Sequence, residues 1–561
     1  MSASRSDPPR PDRRLIAPAV GCWAVTAIGV VGGSTVSAVL AACSTGVALV
    51  GLILVRRAPA GTPRRRGPLL AVIATAGICA GFAGAITVRT AVVERHPVAG
   101  LIGHKATVVM VVSDDPHVVS GRGPARVRVA VGVDVASRRV GPVAANLTAP
   151  ADGWIDLLPG QRVRAIVSVV APRRADLTVA DLRTATAPQA ISPPPTHQRW
   201  ASAVRSGFAE SARRALPAPE SGLLPGMVLG DTSGMDDQVS TDFGDCGLTH
   251  LVAVSGANFT LICAAVVIIA RTFGARRYVC AAIVLLTIVA FVILVRPSPS
   301  VVRAAVMGVV GVIALVARRR SESVAALCTA VIVVMSIWPA LAVAPGFVLS
   351  VVATCGLIAL APVIRDRLCG LGINRGLAEM LSVAVAAQVV TAPVVAMVTG
   401  TYSVVGVVAN LVVAPAVVGI TLLGTVGALV DPLSATVSQI VLRFTEPSLW
   451  WMVHAARTCA NLPVSTVAVG DGIGGFALVL GVTVAVGSGL WWCSRPVGDR
   501  SGLVHDVGRL WQHVRGERPT ASRPRRRGLP GRAGDRHHRP GSHRSTGRHD
   551  RGDPGDPRTR R

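Results

Sequence analysis

Several features that would mark an enzyme or a metalloprotein are missing from this chain. It contains no Walker Gly-x-x-x-x-Gly-Lys-Ser/Thr motif, so we do not expect it to hydrolyse ATP. It contains no dense His-x-His-x-Asp-His cluster, which excludes a binuclear metal hydrolase of that type. Its 11 cysteines include no Cys-x-x-Cys pair and no zinc spacing. We therefore predict no metal, no cofactor and no enzymatic activity.

Lysine is also nearly absent. Lys105 is the single lysine, and arginine carries almost all of the positive charge, for a formal net charge of +27 over 561 residues. A preference for arginine over lysine usually reflects a GC-rich genome, so it says little about function. The positions of the arginines along the chain are more informative.

Half of the chain is hydrophobic, and its apolar residues come in long runs. Hydrophobic residues make up 51% of the sequence. Most runs are about 16 to 25 residues long, which is the length that crosses a hydrocarbon core of ~30 Å. A helix that is apolar on every face over such a length is typical of a membrane span. The sequence therefore predicts a polytopic α-helical membrane protein with about 10 to 12 spans.

Arginine clusters predict the topology of these spans. They flank the first three apolar runs, at residues 13–14, 56–57 and 64–66. Since positive residues stay on the cytoplasmic side, the runs at 15–33 and 35–55 should form a hairpin around Gly32-Gly33-Ser34. The next run, at 68–88, should then lead outward. The same rule, applied to the later loops, places both termini of this multi-pass cell-membrane protein in the cytoplasm.

The segment at residues 91–195 changes from continuous apolar runs to alternation. Valine occupies every second position in Val127–Val135, a period that predicts half-buried strands. Four arginines lie at alternate positions of two such stretches: Arg126, Arg128, Arg162 and Arg164. We predict an extracellular small β-barrel of the OB-like type. It has no cysteine and few aromatic residues, chiefly Trp154, so base stacking should be modest.

The rest of the chain divides by composition. We predict five segments: N-terminal transmembrane helices at 1–90, the β domain at 91–195, an interfacial amphipathic helix and linker at 196–246, a transmembrane channel domain at 247–493, and a basic disordered cytoplasmic tail at 494–561. The tail has too few large apolar residues to fold. Its arginines fix topology or contact nucleic acid or anionic lipid, and the composition leaves these alternatives open.

Polar residues interrupt the apolar runs of the 247–493 domain at four places. They are His250, Ser255, Gly256 and Asn258, then Arg296 and Arg303, then Gln388, and finally Asn410. Lipid tolerates such groups only where protein or a water-filled cavity surrounds them, so we interpret them as candidates for lining a pore. The alternative for Arg303 is snorkelling to the interface. The alternative for the two amides is contact between helices.

A histidine and a serine so close together also suggest a nucleophile and its base. Five residues at ~100° each place His250 and Ser255 about 140° apart on a regular helix, so their side chains would not meet. No carboxylate in the same run orients the histidine. An intramembrane hydrolase is therefore disfavoured.

Four blocks of the sequence resemble the ComEC family of competence proteins. They are Leu229-Gly-Asp231 with Phe243–Gly256; Pro297–Ala305; Pro345–Leu357; and Ala387–Pro393 with Ser403–Asn410 and Pro415. Their order and spacing are similar to those of the family's competence domain, over about 220–493. The external β segment resembles the family's OB-like domain. Many members end in a metallo-β-lactamase-like domain, whereas this chain ends in a basic tail, so we do not expect nuclease activity.

This resemblance implies a channel that imports single-stranded DNA during natural transformation. It also implies a cytoplasmic ATP-driven motor and an external DNA receptor as partners, beside the lipid bilayer and a possible homo-oligomer. The rival hypothesis is a transporter of another anionic solute, such as a phosphorylated or lipid-linked metabolite, that uses the same arginines.

Overall fold

The computed structural model describes residues 14–57, 63–119, 125–134, 142–252, 254–317 and 322–493. The predicted tail at 494–561 lies outside these residues, as do Val135, the turn at 121–124 and the arginines at 318–320. Three parts follow one another along the described chain: two long N-terminal helices, a β-barrel, and a bundle of helices.

The first long helix folds back on itself at Gly33. The two helices are α1 (Ile16–Arg57) and α2 (Pro63–Glu94). Gly33 has a φ of 75°, which interrupts the helical backbone. Gly21 and Gly51, on opposite sides of Gly33, lie against Cys79 and Ile73 of α2, which are less than two turns apart. The two arms of α1 are therefore antiparallel, and the hairpin expected at this position is present.

The β segment closes into a barrel. Its strands are β1 (Lys105–Val112), β2 (His117–Val119), β3 (Arg126–Asp134), β4 (Val143–Pro150), β5 (Arg162–Val170), β6 (Asp181–Arg183) and β7 (Gln189–Ala190). The order β1-β3-β4-β6-β5 returns to β1, since β1 pairs with both β3 and β5. Only β4 and β6 pair in parallel among these described strands. A five-stranded closed barrel is the architecture expected of an OB-like domain.

The alternation in the sequence decides which side chains fill the barrel. The inward positions of β3 and β5 are buried, including Val127, Val129, Val163 and Val167. Trp154 follows β4 and is fully buried among them, with its indole Nε1–H donating to the carbonyl of Thr186 at 2.8 Å. The prediction of half-buried strands is confirmed.

Helices make up the rest of the described chain. The first four are α3 (Thr196–Ala215), α4 (Glu220–Leu229), α5 (Asp237–Asp245) and α6 (Thr249–Val252). The next are α7 (Gly256–Thr272), α8 (Arg277–Val295), α9 (Pro299–Val316), α10 (Ser323–Ile337), α11 (Pro345–Ala359), α12 (Ala361–Gly370) and α13 (Arg375–Thr399). The last are α14 (Gly406–Val430), α15 (Ala435–Arg443), α16 (Glu446–Ala460) and α17 (Gly472–Cys493). Two short strands, β8 (Thr401–Ser403) and β9 (Thr466–Ala468), pair in antiparallel fashion.

The helices are long and apolar enough for a polytopic membrane protein. Seven of those described could cross a membrane by length and composition, and three shorter apolar helices accompany them. One of the seven is the long helix α1, which folds back at Gly33. The predicted fold class, a polytopic α-helical membrane protein with a small β-barrel domain, is confirmed, and the number of 10 to 12 spans stays a prediction.

The amphipathic helix expected after the barrel is α3. Val204 and Phe208 on its apolar face are buried in the core that α3 shares with α4, α7, α8, α14 and α16, so these side chains contact protein. Trp200, expected on the same face, remains 52% exposed. Whether α3 also lies at the membrane interface stays a prediction.

Candidate functional site

Arg303 is buried inside the helix bundle rather than directed to its surface. It lies about one turn into α9 and is 7% exposed. Its Nε–H donates to Ser350 Oγ on α11 at 2.7 Å, and Ser350 Oγ donates to Ser300 Oγ at 3.2 Å. Among the described residues, no carboxylate lies within ion-pair distance of Arg303. The guanidinium therefore points into the protein, toward Ser350 of α11 and Met307 of its own helix.

Gly256 makes room for this guanidinium. A Cβ at Gly256 would lie 2.8 Å from Arg303 Nη2, so any larger residue would displace the cation. Gly256 is the first residue of α7, and Ser255 before it is the N-cap. The polar break in the sequence and the arginine of the next block therefore meet at one place.

Asn258 completes this group. Ser255 Oγ accepts from the backbone N–H of Asn258 at 3.2 Å, and its own hydroxyl donates to Asn258 Oδ1 at 3.1 Å. Asn258 is 5% exposed, and its Nδ2 donates to the carbonyl of Met227 on α4 at 3.2 Å. We call Ser255, Gly256, Asn258, Ser300, Arg303 and Ser350 the Arg303 cluster.

Gln388 and Asn410 form a second group around Gly406. Gln388 lies in the middle of α13, and a Cβ at Gly406 would lie 3.2 Å from its amide. Gln388 Nε2 donates to the carbonyl of Ser403 at 3.4 Å, while Asn410 Nδ2 donates to the carbonyl of Gly406 at 2.9 Å. After the end of α13 the chain therefore turns back, and β8 lies beside the middle of α13. Non-helical backbone at membrane depth occurs where it is buried in protein or lines a cavity.

His250 lies beside this second group. Its Nδ1 is 3.2 Å from the carbonyl oxygen of Gly247, and Gly247 itself packs against Ser403. Ser403 Oγ also donates to the carbonyl of Asp245 at 2.9 Å. His250 and Ser255 each bond to other partners, in agreement with the geometric argument against a catalytic dyad.

Arg296, one of the predicted pore-lining residues, is part of an ion-pair cluster. Its backbone φ is 76°, a value that residues other than glycine rarely adopt, and the residue is 8% exposed. Its Nε–H and Nη2–H donate to Asp115 at 2.8 and 2.9 Å. Asp115 lies in the barrel loop between β1 and β2. This contact joins residues 181 positions apart and links the barrel to the helix bundle.

A second arginine reaches the same carboxylate. Arg205 of α3 lies 3.6 Å from Asp115 and 4.0 Å from Asp231. Its Nη1–H donates to the carbonyls of Leu229 and Leu294 at 3.2 and 3.3 Å. We call Asp115, Arg205, Asp231 and Arg296 the Asp115 cluster. Nothing in the sequence marks Asp115, because only the fold brings it to the end of α8.

The four arginines predicted for the barrel are exposed, but they do not form one patch. Val111 of β1 pairs with Arg162 of β5 on one side and with Gly132 of β3 on the other, so Arg162 is level with Gly132. Gly132 is six residues along β3 from Arg126. The pair Arg162 and Arg164 is therefore about 20 Å along the strands from the pair Arg126 and Arg128.

Arg128 instead belongs to a row that crosses the sheet. His117, Arg128, Thr148 and Arg183 are aligned across β2, β3, β4 and β6. The sequence missed Arg183 and His117 because they lie on very short strands. We call His117, Arg126, Arg128 and Arg183 the basic row. Trp154, the chief aromatic candidate, is fully buried, so its ring is not available to stack on a base.

No group of three or more potential metal ligands occurs among the described residues. The two interior groups consist of a guanidinium, amides, an imidazole and hydroxyls that pack around Gly256 and Gly406.

Comparison with known proteins agrees with this arrangement. The family model described as Competence protein matches residues 227–496. ComE operon protein 3 of Bacillus subtilis (strain 168) is 25% identical over 255 residues, which are 45% of this chain and 32% of that protein. This chain thus matches about a third of the length of that curated relative. No solved structure matches the chain significantly.

The matched region begins in the C-terminal half of α4 and contains both interior clusters and five of the seven described helices that are long enough to cross a membrane. Over this region the chain is similar to the competence proteins. The resemblance inferred from the four sequence blocks is confirmed.

Proposed function

We propose that this protein is the membrane channel through which single-stranded DNA enters the cell during natural transformation. The observation that carries the proposal is the Arg303 cluster, a buried guanidinium without a described carboxylate inside a competence domain. A charged side chain buried without a counter-charge is costly, because burial removes it from water. A passing phosphodiester offsets this cost each time it pairs with Arg303.

The remaining polar groups suit the same substrate. A single strand carries one negative charge per nucleotide and needs cations and donors along its path. The amides of Gln388 and Asn410 and the imidazole of His250 supply neutral donors deeper in the bundle. In the barrel, the basic row supplies cations to a strand arriving from outside, with weak sequence preference because few aromatic rings are exposed. We propose no enzymatic step in this chain.

The direction and energy of transport belong to the same proposal. Both termini lie in the cytoplasm and the barrel lies outside, as the arginine pattern predicts. A separate ATP-driven motor in the cytoplasm pulls the strand, and an external receptor delivers it. Transport of another anionic solute is not favoured by the comparisons.

Import of labelled DNA tests the proposal directly. A strain without the gene should internalise no nuclease-protected DNA, and the wild-type gene should restore import. In the complemented strain, Arg303→Gln should lower import about tenfold, while Arg303→Lys should retain part of it because the charge remains. Arg271→Gln is the matched control, since it removes one exposed positive charge from the end of α7.

The two possible failures are distinct. If the deletion strain still imports DNA, the proposed function is wrong. If deletion abolishes import but Arg303→Gln imports as well as wild type at equal membrane levels, the channel stands and its cation site is elsewhere.

A further inference from the structure

The Asp115 cluster places two cations and one barrel carboxylate at the entrance of the helix bundle. The side chains of Arg296 and Arg205 are 9% and 13% exposed, so both guanidiniums are largely removed from water. Asp115 accepts from Arg296 in the two-pronged geometry that a phosphate oxygen pair also satisfies. The carboxylate therefore fills a site whose shape and charge suit a phosphodiester.

Arg296 has one donor that Asp115 does not satisfy. Its Nη1 is buried and has no hydrogen-bond partner. A buried donor without an acceptor is costly, and native proteins rarely leave one. Asp115 occupies the Nε–Nη2 edge of the guanidinium, and Nη1 points away from that edge. A bound strand carries several phosphates, so a neighbouring phosphate of the same strand can offer an acceptor to Nη1.

The cluster is also adjacent in sequence to the two other basic features. His117, at one end of the basic row, is two residues after Asp115. Arg296 lies two residues before Ser298, the N-cap of α9, and α9 carries Arg303. A strand that follows the basic row toward the Arg303 cluster thus meets Arg296 and Arg205 between them.

We propose that the Asp115 cluster is a phosphodiester-binding site at the channel entrance, which Asp115 occupies until a strand arrives. One anion replaces the other, so neither buried guanidinium is left without a counter-charge during the exchange. Asp115 then moves into solvent together with the loop between β1 and β2. This inference rests on the proposed function, because it takes the DNA strand as the ligand.

The test is binding of a fluorescent oligothymidylate to the purified full-length protein in detergent. Asp115→Asn keeps the shape but removes the competing charge, so the Kd should fall about fivefold. Asp156→Asn is the matched control, because it removes one exposed carboxylate from the same barrel and should leave the Kd unchanged. Arg205→Gln should raise the Kd, since it removes a proposed phosphate contact while the Arg296–Asp115 pair remains.

A purely structural latch gives different results. If Asp115 only holds the barrel to the bundle, Asp115→Asn should lower thermal stability and leave DNA binding equal or weaker, which overturns the proposal. Should Asp115→Asn fail to fold, Arg205→Gln decides alone: an unchanged Kd in a folded Arg205→Gln protein also overturns it. These measurements need no import, so they separate this site from the proposed function, which the deletion strain tests.

Discussion

At the scale of single residues, the interior of the bundle is organised around glycines that admit polar side chains. Gly256 admits the Arg303 guanidinium, and Gly406 admits the Gln388 amide. Because glycine has no side chain, the neighbouring polar group can occupy the space that a Cβ would take. Substitution there should therefore disturb function before it disturbs folding.

Gly256→Ala tests this view. The new Cβ would meet Nη2 at 2.8 Å, and this is the free end of a flexible side chain, so the guanidinium should move while the fold adapts. DNA import should fall about tenfold, because a cation displaced by about 1 Å loses its alignment. Thermal stability in detergent should hardly change. Import and unfolding are measured on the same variant.

Gly311→Ala is the control for this change, since nothing lies within 4 Å of the position its Cβ would take on α9. It should import DNA as wild type does. If Gly256→Ala and Gly311→Ala import equally well, Arg303 has no defined position that matters for transport.

The sequence predicted these residues better than it predicted their partners. Arg303 and Gln388 were found because polar groups stand out in apolar runs. Ser350 was present in a recognised block, but a serine in a membrane helix is too common to single out. Asp115 could not be predicted, because a lone aspartate in a loop carries no signal until the barrel closes and brings it to Arg296.

At the scale of elements, local sequence patterns predicted whether a segment is a helix or a strand and roughly where it begins and ends. Alternating valines gave the strands of the barrel, and apolar runs gave the spans. Not every apolar stretch forms one helix, since residues 435–460 are divided into α15 and α16 at Phe444-Thr445. Strands β8 and β9 have only three residues each, so their pairing depends on contacts between distant parts of the chain and not on period.

The α1 hairpin permits a stability prediction for one element. At Gly33, a Cβ would combine a φ of 75° with a contact of 2.8 Å to Glu94 Oε1, which accepts from the backbone N–H of Ser34. Gly33→Ala should therefore lower the free energy of unfolding by about 1–2 kcal/mol. Chemical unfolding of the purified protein in detergent measures it.

Gly46→Ala in the second arm is the matched control, because open space surrounds the position of its Cβ. Since alanine favours a helix over glycine, this variant should be equal to or more stable than wild type. If Gly33→Ala and Gly46→Ala are equally stable, the positive φ at residue 33 does not require glycine.

At the scale of the whole molecule, cations occur at three successive positions: the basic row on the barrel, the Asp115 cluster at the junction, and the Arg303 cluster within the helices. The first is exposed, the second is paired with carboxylates, and the third is buried with no carboxylate near it among the residues that the structure describes. Exposed cations contribute to binding mainly through the release of counterions, and this contribution depends on salt. The basic row should therefore dominate the salt dependence of DNA binding.

This expectation can be measured with an oligothymidylate of about 16 nucleotides, the upper end of what one such barrel covers. For single strands, each phosphate contact contributes about 0.7 to the slope of log K against log salt. The double variant Arg128→Gln/Arg183→Gln should therefore reduce the slope by about 1.4. Arg162→Gln/Arg164→Gln changes the net charge equally, but at a site about 20 Å away along the strands, and should reduce the slope less. An equal or larger effect of the second pair would show that the strand crosses the barrel on the β5 side, away from the basic row and the loop that carries Asp115.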